Sequence, residues 1–179
     1  MHDRGVEEGD IRSAVERLAR CRTFGEVEKA WEPLRELGET VVPYLEEAYP
    51  SAPRACARVA MVFYSVRYAR IEEGAFRLGI RALNDRATLV RYRACGLLAY
   101  SLRRDALPSL RKALEHPDPK TTEDAAAAIR AIEARNHHLF RDRDGSGHVR
   151  WIVNPEDDSL KFLVRQSGWL QRLRQFVQR

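Results

Sequence analysis

The chain has 179 residues, 44% of them hydrophobic and 32% charged, a size for one sizeable core or about one domain of ~100 to 200 residues. No apolar run reaches the ~18 residues of a membrane-spanning helix, and Met1 to Asp10 is charged where a secretion signal is apolar. Those two features set the cytoplasm as the expected compartment; Cys21, Cys56 and Cys95 are odd in number and widely spaced, which argues against a disulfide framework or a paired-cysteine metal site. The net charge of +5 lies wholly beyond Asp158, where Lys161, Arg165, Arg172, Arg174 and Arg179 have no acidic neighbour.

In chain order, Asp10 is placed to cap a short helix in which Ile11, Val15 and Leu18 recur on one face, ending near Cys21. Thr23 caps a second helix with Phe24, Val27, Trp31, Leu34 and Leu37 on one stripe and Gly38 as its stop. Residues 1–39 therefore read as an N-terminal helical cap. From Thr40 the chain passes through Val42-Pro43-Tyr44-Leu45, turns at 50–53 and enters an apolar helix over 54–68; Pro43 is tolerated in a first turn, where its missing N–H would be unpaired anyway. A second pair spans 72–83 and 88–102, broken at Asn84-Asp85-Arg86, and a third runs from Asp105 to Leu114 and from Thr121 or Thr122 to Arg135. Ala60, Ala94 and Ala125 open the cores of the three second helices at spacings of 34 and 31 residues, a period that marks stacked helical pairs.

Over residues 40–135 these units resemble HEAT repeats, with Asp85, Val90, Arg91 and Ala94 standing where that family places an Asp in the turn and a Val-Arg pair and Ala at the start of the inner helix. The first and third units depart from it, with Cys56-Ala57 and Thr121-Thr122 in the places of Val90-Arg91. The resemblance implies an all-α, short α-α superhelix, a surface on which function is placed, and no particular chemistry.

After Arg135 the pattern shortens. His138 to Arg141 and His148 to Val153 flank Asp142-Arg143-Asp144-Gly145-Ser146-Gly147, so residues 136–158 are expected to form a β-hairpin with Phe140, Val149, Trp151 and Val153 on its packed face and His137, Arg141, His148 and Arg150 outward. Residues 159–179 are expected to form a basic terminal helix with Phe162, Trp169, Leu170, Leu173, Phe176 and Val177 on a broad apolar arc.

Asp142, Asp144 and Ser146 resemble the opening of a calcium loop, but the twelfth position is Val153 where a bidentate Glu is needed, and turn chemistry accounts for the same residues. His137, His138 and His148 do not converge under strand alternation, so neither a metal nor another cofactor is expected. There is no nucleophile elbow, phosphate loop or dinucleotide fingerprint. The resemblance also covers DNA glycosylases that remove alkylated bases with concave aromatics and a carboxylate; the matches in kind are Trp31, Tyr64, Tyr68, Tyr92 and Tyr100 with Asp85 or Asp124.

The residues expected to bind are Arg54, Arg58, Arg91 and Arg93, as a ridge along the starts of successive second helices, with Arg165, Arg172 and Arg174 of the tail. Such a ridge suits another protein with an acidic surface, and secondarily the phosphates of a nucleic acid. Pairing with Asp85, Glu123 and Asp124 of neighbouring units is the competing role for the same arginines.

Overall fold

Local capping sets where the helices of this protein begin. The computed structural model describes residues 8–158, which form eight α-helices in four consecutive pairs: α1 (Glu8–Ala19) with α2 (Phe24–Trp31), α3 (Val42–Ala48) with α4 (Ala55–Ser65), α5 (Glu73–Ala82) with α6 (Thr88–Ser101), and α7 (Leu107–Ala113) with α8 (Pro119–Glu133). Thr23 Oγ1 accepts the Glu26 N–H at 3.2 Å while Glu26 accepts from Arg22 N at 2.7 Å, so two otherwise orphaned donors start α2. Asp118 caps α8 through Lys120 N, with Pro119 in the first turn, ahead of the expected start at Thr121. Asp10 lies inside the first turn of α1 instead of capping it. Between α2 and α3 the chain tightens into a 3-10 segment, Glu32–Val41, where Gly38 takes a positive φ of 60°.

The pairs stack side by side, α2 on α4, α4 on α6 and α6 on α8 in one layer, with α1, α3 and α5 successive in the other. Central α6 is buried on every side from Ala94 to Ser101. At Gly79 a Cβ would stand 2.6 Å from Leu97 Cδ2, so only glycine lets α5 approach α6 this closely.

An arginine–aspartate ladder fixes the stacking register. Arg58 on α4 donates twice to Asp85, in the turn before α6, at 2.6 and 3.0 Å, and its remaining arm donates to the Ala52 carbonyl. Arg91 on α6 repeats this one pair later: it donates to Asp118 at 2.7 Å, to Thr121 Oγ1 at 2.8 Å and to the Asp85 carbonyl. Each arginine thus reaches the aspartate 27 residues on and the carbonyl 6 residues back. The step along the chain from Arg58 to Arg91 equals that from Asp85 to Asp118, and it differs from both alanine spacings. Small residues report close helix approach, whereas the bonds equate Arg91 with Arg58. Burial by itself would raise the Asp85 carboxyl, but hydrogen bonds from Arg58, Tyr49 and the Ala87 N–H outweigh it and hold the group below the ordinary carboxylate range.

The expected C-terminal β-hairpin is overturned: no strand occurs among the described residues. Residues 137–140 form a 3-10 turn, 148–154 run without a partner strand, and Pro155–Asp158 forms a second 3-10 turn. Side chains take the bonds a ladder would have made. Trp151 N donates to His138 Nδ1 at 3.1 Å, the Trp151 carbonyl bonds His137 Nε2 at 3.0 Å, and Val153 N and Asn154 N both donate to Asp157. Phe140, Trp151 and Val153 do pack against the helices, while Val149 is exposed and His137, expected outside, is buried. The expected basic terminal helix lies outside the described residues.

Replacing Asp85 with Ala is expected to destabilise the fold by about 3 to 5 kcal/mol in urea unfolding, because Arg58 and Tyr49 then keep buried donors without an acceptor. Combining Arg58→Met with Asp85→Leu is expected to recover part of that loss, since the buried cation goes with the carboxylate while the Tyr49 hydroxyl and the Ala87 N–H still lack an acceptor.

Candidate functional site

A cleft lined by aromatic and cationic side chains lies where the α2–α4–α6 layer meets the segment after α8. Trp31 closes α2, Phe63 and Tyr64 close α4, Tyr92, Arg93 and Gly96 stand on α6, and Phe140, Arg141, Trp151, Ile152 and Val153 come from the C-terminal segment. Together with Arg35, Val66 and Arg67 they line a cleft of about 320 Å³. Helical spacing explains the α6 contribution, because Tyr92 and Gly96 are one turn apart and share a face. Gly96 matters here: a Cβ would stand 3.0 Å from Phe140, so its absence admits the ring.

Aromatic rings make the floor. Trp31 and Tyr64 stack with centroids 3.8 Å apart and planes 3° from parallel; Phe63 meets Tyr64 edge-on and remains 47% exposed. Four arginines sit around the floor, and no carboxylate is among the lining residues. Arg93 lies over the Phe63 ring at 4.7 Å and near Tyr92 at 5.5 Å. Its Nε is out of solvent with no hydrogen-bond partner among the described residues, and burial, with Arg141 close by, lowers its pKa. Arg141 donates to the Tyr92 hydroxyl, and Arg35 and Arg67 are exposed.

The arginines singled out in the sequence divide into two kinds. Arg58 and Arg91 are buried in the ladder, at 6% and 4% exposure, with their donors engaged. Arg54 is exposed at the start of α4, and only Arg93 lines the cleft. The structure therefore does not bring the four together as one ridge. Arg165, Arg172 and Arg174 lie outside the described residues. Sequence reading misses Arg35, Arg67 and Arg141 as cleft residues; their one signal is a nearby aromatic in each case, at Trp31, Tyr68 and Phe140, which is too common to select them.

Trp31, Tyr64 and Tyr92 line the cleft, whereas Tyr68 and Tyr100 do not. Asp85 is held by Arg58 and Tyr49, and Asp124 by Arg143 at 2.7 Å, so neither carboxylate enters the cleft. Among the described residues these aromatics and carboxylates do not come together in one cleft. Asp142 spends its carboxylate on Ser146 Oγ at 2.8 Å and Gly147 N at 2.7 Å, with Gly145 and Gly147 at positive φ, which is a self-closed turn. Among the described residues no group of His, Cys, Asp and Glu is arranged to hold a metal.

A buried polar hub fixes the wall formed by Trp151, Ile152 and Val153. Asp157 accepts from Val153 N, Asn154 N, the Tyr100 hydroxyl at 3.0 Å and Arg70 at 3.2 Å. Arg70 also donates to the Tyr100 carbonyl and to His137 Nδ1, which makes His137 a neutral Nε2–H tautomer donating to the Trp151 carbonyl. Burial lowers the His137 pKa to about 4, with His138 and Arg70 acting in the same direction and Asp157 opposing. Asp157, which burial would raise, is held below the ordinary carboxylate range by the Asn154 and Val153 backbone donors.

No family model matches the chain, and no curated protein matches it in sequence. No described helix is long and apolar enough to cross a membrane.

The hub makes stability depend on acid in a defined window. His137 is protonated more readily unfolded, near pH 6.5, than folded, near pH 4, so its contribution is complete above pH 6.5 and is lost as pH falls to 4, by up to about 3 kcal/mol. Urea midpoints between pH 7 and 4 should fall steeply for the native chain and less steeply for His137→Gln, which cannot titrate; His138, also lowered by burial, retains part of the slope.

Proposed function

We propose that this protein is a non-enzymatic binding module, a HEAT-like array of helical pairs that presents its cleft to another protein with an acidic surface. The HEAT-like reading is supported by the repeated bonding of Arg58 and Arg91, each tying one pair to the turn of the next. The observation that carries the binding role is the cleft's composition: Arg35, Arg67, Arg93 and Arg141 around exposed aromatic surface, with no carboxylate in the lining. Arginine and aromatic residues are the types that dominate binding energy at protein interfaces. A rigid floor, already stacked before any partner arrives, reduces the conformational entropy lost on association.

A nucleic acid is the second reading, favoured by the acid-free charge of residues 159–179. Salt and nuclease separate the two, because phosphate contacts release counterions and weaken steeply as salt rises.

Capture from native lysate should be compared for the full-length chain, for Arg67→Glu with Arg141→Glu, and for a tail carrying Arg165→Gln, Arg172→Gln and Arg174→Gln. The expected outcome is a protein retained through nuclease treatment by the native and tail-neutralised chains and lost, by at least about tenfold, from the cleft variant. Equal retention by the cleft variant, or loss of capture on nuclease treatment, overturns the proposal. Arg91→Glu is unsuitable for this purpose, since it would place a carboxylate against Asp118 inside the ladder.

A further inference from the structure

We infer that the cleft receives one large apolar side chain, aromatic for preference, from an acidic linear segment of a partner protein, and that carboxylates flanking this anchor bind the four surrounding arginines. This inference rests on the binding role proposed above and specifies its ligand.

Size is the first argument. At about 320 Å³ the cleft stands at the lower end of ligand pockets, room for a single bulky side chain. Its mouth has apolar surface still in water, Phe63 at 47% and Ile152 at 45% exposure, which an inserted side chain would cover. Arg93 is the second argument. Its guanidinium lies over Phe63 in the cleft lining and makes no hydrogen bond or ion pair among the described residues, so an oxyanion arriving beside an apolar anchor meets an unpaired cation there. Arg35 and Arg67 make no ion pair among the described residues and are exposed at the rim to take further carboxylates.

The same geometry disfavours a nucleic-acid strand. A phosphate backbone is tracked by a continuous row of cations, and here Arg58 and Arg91, which would extend the row along the helix starts, are consumed by Asp85 and Asp118. Base stacking needs open ring faces. Trp31 and Tyr64 cover one another, and Arg93 lies on one face of Phe63.

The test is fluorescence anisotropy on the full-length chain with four labelled probes: a short Asp/Glu-rich peptide with one central tryptophan, the same peptide with alanine at that position, the tryptophan peptide with lysines in place of its acids, and a single-stranded oligothymidine. The expected result is tightest binding of the acidic tryptophan peptide, with at least about tenfold loss on removing either the tryptophan or the acids. Phe63→Ala and Arg93→Met should each reduce that binding, with circular dichroism confirming the helical fold; should Arg93→Met unfold, the exposed pair Arg35→Gln and Arg67→Gln serves in its place. Equal binding of the alanine peptide overturns the anchor, and tighter binding of oligothymidine overturns the choice of a protein ligand. If the alanine peptide binds equally while the Arg67→Glu and Arg141→Glu chain still loses its captured protein, the binding role stands and this inference fails; if capture is also unaffected, both fail.

Discussion

The register of this structure depends on how one helical pair is tied to the next, and at two of the three junctions between the described pairs the tie is a buried arginine answered by an aspartate from the following turn. Apolar packing brings the pairs together but is non-directional, and sliding one helix along another changes buried area little. The contacts Arg58 to Asp85 and Arg91 to Asp118 are directional, and in each the arginine also holds the carbonyl of its own preceding turn. A slip by one turn would strand a charge in the interior, which sets the register far more sharply than the apolar stripe does. In the last described pair, one equal step on from Arg91, the position carries Asp124, so an arginine must come from elsewhere. Arg143 supplies it, at 2.7 Å, with a second bond to the Glu123 carbonyl. The reversal of charge at this position is what receives the C-terminal segment and ends the described ladder.

That segment is anchored by side chains where a sheet would use backbone. Asp157 gathers two backbone donors, a tyrosine hydroxyl and an arginine, and the imidazoles of His137 and His138 bond the backbone of Trp151. Buried polar networks of this kind are stable when each member is satisfied and costly when one fails. Because Trp151, Ile152 and Val153 are also one wall of the cleft, the shape of the candidate site is held in part by residues outside its lining.

The ladder also decides which positive charges are left unpaired among the described residues. Arg58 and Arg91 serve the interior, while Arg35, Arg67, Arg93 and Arg141 surround aromatic rings without a carboxylate in the lining. The result is a local concentration of cationic and apolar surface on a body whose remaining charges largely balance, which is the basis of the proposed acidic protein ligand.

Much of the helical pattern is legible in the sequence: Thr23 as a cap, Pro43 in a first turn and the breaks at Asp85 and 116–119 all act within a few residues, so they need no tertiary context, whereas α2 ends at Trp31 and Gly38, expected to stop it, is a kink inside the 3-10 segment that follows. The hairpin expectation fails because a glycine turn between alternating residues is the same local signal whether or not strands pair; His138 and Asp157 capture the backbone only because α6, α8 and Arg70 hold the segment where they can. Likewise, Arg91 and Arg93 are near neighbours on one helix and are chemically identical in the sequence. What the sequence by itself determined was where helices start, stop and repeat, since capping and periodicity are short-range. Only the tertiary structure decided that Arg91 would be spent on Asp118 and Arg93 left facing a cleft, since a charge is neutralised or left free by neighbours that folding brings from a distant part of the chain.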